Sequence, residues 1–126
     1  MTEELALAET ALGADGDRRA ARRRFAEAVL DHHRRWRVFR ASLRALYATD
    51  AEVHAARLAQ RERQIVQSMA LLSRQPGEPP SRARLLATML GFEALCDAIA
   101  DGDAAALGVD AAALIELLVE ALDALG

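Results

Sequence analysis

The sequence predicts an all-α protein, an antiparallel bundle of about five helices whose last two form a dimer interface. Three observations predict it. Of 126 residues 29 are Ala, and Ala together with Leu, Arg and Glu makes up most of the chain; these residues lead the helix propensity scale. The larger apolar residues recur at alternating steps of three and four, the spacing of one helix face. Apart from Gly91 and the last residue, glycine and proline fall in a few short stretches that separate those periodic runs.

The first predicted helix runs from about residue 2 to residue 12 and ends at Gly13 and the polar run Ala14-Asp15-Gly16-Asp17. The second, from about 17 to 47, carries one stripe of Phe25, Val29, His32, Trp36, Phe39, Leu43 and Leu46. Thr49-Asp50-Ala51-Glu52 has the form of a capping box, with Thr49 as the cap and Glu52 reaching back to it. A third helix therefore runs from there to about Arg74, with Ala51, Leu58, Ile65 and Leu72 seven residues apart, flanked by Val66 and Met69. Pro76-Gly77-Glu78-Pro79-Pro80 stops it, because proline lacks a donor and clashes with the preceding turn. Ser81 caps a fourth helix with the stripe Leu85, Met89, Phe92, Cys96 and Ile99, ending near Asp101-Gly102. Asp110 caps the fifth, in which Leu114, Ile115, Leu117, Leu118, Val119, Leu122 and Leu125 cover most of the circumference.

A helix apolar nearly all round needs cover on more than one side. In a chain of 126 residues, enough for one domain, the bundle covers one face and a second copy covers the other. Burying a Leu or Ile contributes about 1.5–3 kcal/mol, whereas repulsion between Glu116 and Glu120 costs only about 0.2–0.5 kcal/mol. The small residues Ala87, Gly91, Ala94 and Ala98 of the fourth helix form a second stripe that permits close backbone approach. The expectation is a homodimer built on the last two helices, with Glu116, Glu120 and Asp123 on the solvent edge.

Charge is laid out in blocks. Residues 1–17 hold five acids and no base, residues 18–84 hold all sixteen Arg against six acids, and residues 85–126 hold eight acids and no base. The dense run Arg18-Arg19-Ala20-Ala21-Arg22-Arg23-Arg24 opens a helix, where cations oppose the helix dipole, so a neutralising partner is expected. The acids just upstream are the expected partner, and phosphate is the alternative. Asp31 is placed to pair with Arg35 one turn on. The acidic N-terminus does not resemble a secretory leader, one cysteine leaves no internal disulfide, and no window reaches the roughly 18 uninterrupted apolar residues that span a bilayer. These features predict a cytoplasmic chain without membrane insertion.

The residues that could carry chemistry do not compose an active site. His32 and His33 point about 100° apart on a helix, and with His54 they lack the spacing of a metal site. His32 falls on the apolar stripe, as a core histidine or as a polar contact in a cavity. Cys96 sits on an apolar stripe without a companion base, and Glu93 and Asp97, four apart, read as surface acids. No enzyme, metal or cofactor is expected. Phe25, Trp36, Phe39, Met69, Met89 and Phe92 are the bulky residues of three helices, and they either pack a solid core or line a pocket for an apolar molecule, with His32, Trp36 or Tyr47 as polar contacts.

The helix Trp36-Arg37-Val38-Phe39-Arg40 leading to the Thr49-Asp50 corner, the apolar helix with Gly91-Phe92 ending at Asp101-Gly102, and the Leu-rich helix ending at Gly126 together resemble the C-terminal ligand-binding and dimerisation domain of TetR-family transcriptional regulators. The resemblance covers nearly the whole chain. It implies a four-helix dimer interface through Ala87, Gly91, Ala94, Leu114, Leu118 and Leu122, and an effector pocket drawn from Val29, Trp36, Phe39, Met69 and Phe92. It also implies that DNA is read by a helix-turn-helix module, which has no counterpart here; residues 1–12 resemble the tail of the helix that would connect to it. The expected function is effector sensing and dimerisation. An all-helical adaptor with a solid core is the alternative.

Overall fold

The computed structural model describes residues 18–125, so the predicted first helix and the acids upstream of Arg18 lie outside the described residues. Within them the chain is all-α: α1 (Arg18–Arg35), α2 (Arg37–Thr49), α3 (Ala51–Leu72), α4 (Arg82–Ala100), α5 (Asp103–Ala106) and α6 (Ala111–Leu125). Ion pairs between helices fix their directions. Arg19 meets Asp123 and Arg23 meets Glu116, so α1 and α6 are antiparallel. Arg57 and Arg61 meet Glu93 while Leu72 shares a core cluster with Leu85, so α3 and α4 are antiparallel as well. Phe25 faces Phe92 and His33 faces Asp97, so α1 and α4 run the same way.

The caps act locally, as the sequence suggests. Ser81 Oγ accepts from the Arg84 N–H and Asp110 Oδ1 from the Ala112 N–H, while the proline-rich segment separates α3 from α4. At the α2–α3 corner the cap is Asp50 rather than Thr49. Asp50 Oδ1 accepts from the backbone of Glu52 and Val53, and the Thr49 hydroxyl instead donates back to the Ala45 carbonyl. Asp50→Ala is expected to cost about 1 kcal/mol by freeing two backbone donors, readable as a lower urea midpoint followed by circular dichroism.

Two helix boundaries differ from expectation. The predicted helix over 17–47 breaks at Trp36, whose φ of −105° and ψ of 21° leave the helical well. Hydrogen bonds continue on both sides, from Trp36 N–H to His32 O and from Arg40 N–H to Trp36 O, so the break redirects the axis without ending the ladder. The short α5 has no counterpart in the prediction because four residues carry no readable period. Gly102, at φ 84°, closes α4 in the left-handed conformation that favours glycine, and lets Ala104 turn back into the core.

The core has two parts. Ala26, Leu30, Phe92, Cys96, Ile99, Ala104, Leu118, Val119 and Leu122 form the larger, where α1, α4 and α6 meet; Ile65, Leu72 and Leu85, with Met69, Met89 and Leu125 against them, form the smaller. The inner face of α1 is Ala21, Arg22, Ala26, Leu30 and His33, rotated from the predicted stripe. Fully buried Ala26, Cys96 and Val119 show the cause: these helices approach through small side chains, leaving Phe25 and Val29 at the flank. No helix among the described residues is long and apolar enough to cross a membrane.

Candidate functional site

Asp97 and Glu93, one turn apart on α4, organise the polar interior. Asp97 accepts from His33 Nδ1 at 2.7 Å and from Arg40 through both carboxylate oxygens, at 3.0 and 3.1 Å. Arg44 adds a contact at 2.9 Å and reaches Asp101 at 3.3 Å. Glu93 accepts from Arg57 at 2.9 Å and from Arg61 at 2.7 and 2.6 Å. The Arg57 guanidinium lies 5.7 Å from the centre of the Tyr47 ring, a cation–π arrangement. Between α2, α3 and α4 these groups enclose a cleft of about 140 Å³, lined by Arg40, Arg44, Tyr47, Arg57, Glu93 and Asp97.

The electrostatics follow from the contacts. Burial by itself would raise the Asp97 carboxyl, but hydrogen bonds from Arg40 and His33, with the charge of Arg40, overcome it and hold Asp97 below the usual carboxylate range. Glu93 is likewise lowered, burial being outweighed by Arg61 and Arg57. Burial lowers His33, and the hydrogen bond to Asp97 offsets this only in part. His33 is therefore a neutral imidazole with its proton on Nδ1, donated to an ionised Asp97. Cys96, beside Asp97 in sequence, is pushed up to about 12 by burial and then by the Asp97 charge, so it is a thiol without nucleophilic character.

This network corrects three expectations. Glu93 and Asp97 are half-buried anchors and not surface acids, because the break at Trp36 brings Arg40 and Arg44 over Asp97 and the first half of α3 turns Arg57 and Arg61 toward Glu93. The histidine in the core is His33, 4% exposed; His32 is only half-buried, since the inner face of α1 lies one residue further on. Within the Arg18–Arg24 run, Arg19 and Arg22 bind Asp123, and Arg19 and Arg23 bind Glu116; the upstream acids expected to neutralise the run lie outside the described residues. Glu116 and Asp123 are thus tied to α1, leaving Glu120 on the open edge. Asp31 pairs with Arg35 at 3.1 Å.

The eight residues considered as a pocket do not share one chamber. Phe25 and Phe92 pack ring against ring at 5.8 Å, Val29 lies beside them, and Met69 and Met89 lean on the smaller cluster. Trp36 and Phe39 stand outside, 47% and 57% exposed, and line an open hollow of about 630 Å³ formed by residues 34–39 and Ser42. His32 stacks near Trp36, at 6.4 Å between ring centres.

The residues considered for the dimer separate by helix. On α4, Ala87, Gly91 and Ala94 are exposed and Ala98 is half-buried, with exposed Leu90 beside them. On α6, Leu118 and Leu122 are buried in the chain's own core and Leu114 packs against it, so the outward side is Ala113, Leu117 and Ala124 instead. Compared with protein-family models, curated proteins and solved structures, the chain matches none.

Proposed function

We propose that this chain is the dimerising, effector-sensing domain of a TetR-like transcriptional regulator, without enzymatic activity and with an apolar small molecule as effector. The observation that carries this reading is the outward side of α4 and α6. Ala87, Leu90, Gly91 and Ala94 of α4, with Ala113 and Leu117 of α6, are exposed and uncharged, Glu120 being exposed beside Leu117; short side chains of this kind let two helices approach their copies closely. An effector that favours one packing of the bundle over another would change the relation between the two copies. In such a regulator DNA contact belongs to a helix-turn-helix module and not to the bundle.

The test is the mass of the particle in solution. Ala94→Arg places a cation in the middle of the proposed contact, and light scattering is expected to show monomer or aggregate where the parent chain is a dimer. An unchanged dimer mass in the variant, or a monomeric parent, rejects the reading.

A second reading, a helical adaptor with a solid core, is favoured by the packing of Phe25, Phe92, Met69 and Met89 among other core side chains. The two readings part on ligand response. The sensor is stabilised by an apolar probe such as decanol in proportion to ligand concentration, and the adaptor is indifferent to it.

A further inference from the structure

The α2–α3 hairpin is turned inside out relative to its own sequence. On α2, Val38, Phe39 and Leu46 face solvent, and on α3 so does Leu58, at 57% exposure. The guanidinium-bearing side chains of Arg40, Arg57 and Arg61 are instead only 21%, 18% and 11% exposed. Burial acting alone would place the phenylalanine and leucines inside and let the arginines reach water. No residue of α2 is buried; its half-buried positions are Arg40, Leu43 and Tyr47, and its ion pairs to α4 run through Arg40 and Arg44.

The two inner carboxylates balance only part of that charge. Arg40, Arg44, Arg57 and Arg61 converge on Glu93 and Asp97, with Asp101 touching Arg44 at the rim. Arg40 is held bidentate by the two oxygens of Asp97, through Nε and Nη2. Arg57 gives Glu93 a single N–H through Nη2 and otherwise lies over Tyr47. Arg44, 40% exposed, divides itself between Asp97 and Asp101. Arg44, Arg57 and Tyr47, with Leu43 beside them, line the cleft, so two guanidinium groups with unspent donors and one phenol border a place that keeps excess positive charge.

We propose that this cleft binds a small oxyanion, a carboxylate or a phosphate, held by Arg44, Arg57 and Tyr47. Its volume of about 140 Å³ equals about five water molecules at their share of the liquid. That suits inorganic phosphate or succinate and falls short of the roughly 300 Å³ at which pockets for drug-sized ligands begin. Guanidinium groups match the paired oxygens of either anion, and Glu93 and Asp97 keep the arginines in place before it arrives. The proposal rests on the sensing role in one respect: the arginines that take the anion also hold α2 and α3 to α4, so its binding alters the attachment of the hairpin.

The experiment is calorimetric titration of the full chain with sodium phosphate and with sodium succinate at constant ionic strength, with decanol as an apolar arm. Saturable one-site heat with at least one anion is expected, and which of the two gives it identifies the oxyanion. Arg44→Gln, Arg57→Gln and Tyr47→Phe should each weaken it by about tenfold, the loss of one charge-assisted hydrogen bond, while Arg63→Gln on the exposed side of α3 leaves it unchanged. Tyr47→Phe keeps the ring under Arg57, so it tests the donor even if an arginine variant fails to fold. Absence of saturable heat with both anions overturns the proposal, as does binding that these variants leave intact. Decanol binding without anion binding removes the oxyanion site and leaves the effector reading standing; the dimer mass is measured separately.

Discussion

Asp97→Ala is expected to lower the unfolding free energy by about 3 kcal/mol, since it strips the shared acceptor from a buried histidine and a largely buried arginine at once. His33 and Arg40 then keep their desolvation cost without compensation, while Arg44 swings to Asp101 or water. Asparagine recovers little, because its amide presents donors where three donors already converge. Urea denaturation at pH 7 measures the loss. Stability of the parent chain should also fall on acidification. His33 is depressed in the fold, so below its ordinary value of 6.5 the unfolded chain takes up the proton first and stability declines as pH falls through that value. Glu93 and Asp97, depressed from 4.5 and 3.8, add a second decline as pH falls through and below those values. Removing Asp97 should abolish its share of the lower decline and leave that of Glu93.

Leu118→Ala is expected to cost a comparable amount, about 3 kcal/mol, by opening a cavity in the larger core. Leu118 is 2% exposed and packed within the chain, so its loss destabilises the fold at every protein concentration. Its neighbour Leu117, 53% exposed, should behave differently. Leu117→Ala is expected to change the intrinsic stability by no more than about 0.5 kcal/mol and to weaken the proposed dimer. Denaturation across a range of protein concentrations separates the two: a deficit of Leu117→Ala relative to the parent that shrinks as both are diluted to monomer belongs to association, and a constant one belongs to the fold.

How much of this was legible in the sequence depended on the range of the forces involved. The caps at Ser81 and Asp110, the proline stop and the Asp31–Arg35 pair involve residues within a few positions of each other, and each formed where the local pattern put it. The α2 corner slipped by one residue because Thr49 and Asp50 are both good caps, and their difference is decided by which oxygen reaches the next turn. Weighting the α1 stripe by side-chain size chose Phe25 and Trp36, but helices that pack closely bury their small positions, so Ala26 lies inside and Trp36 outside.

The polar interior was not legible, for a related reason. Glu93 and Asp97 at that spacing look like any solvated helix acids. Only the bend at Trp36, which no proline or glycine announces, brings α2 above them. One signal was present. The excess of arginine across α2 and the first half of α3 faces a helix whose nonterminal charges are acids alone, a mismatch that pairing between the helices resolves.

The inverted hairpin has a thermal consequence. The bundle of α1, α4 and α6 hides oily side chains, so its melting hydrates them and gives a strongly curved dependence of stability on temperature. Detaching α2 and the first half of α3 would wet charged groups above all, because Val38, Phe39, Leu46 and Leu58 already face water and only Leu43, Tyr47 and Val53 are half-buried among their larger apolar side chains. Such a release carries little heat-capacity change and answers to ionic strength more than to warmth, so dissolved salt is the variable that loosens one end of this molecule while the other stays shut.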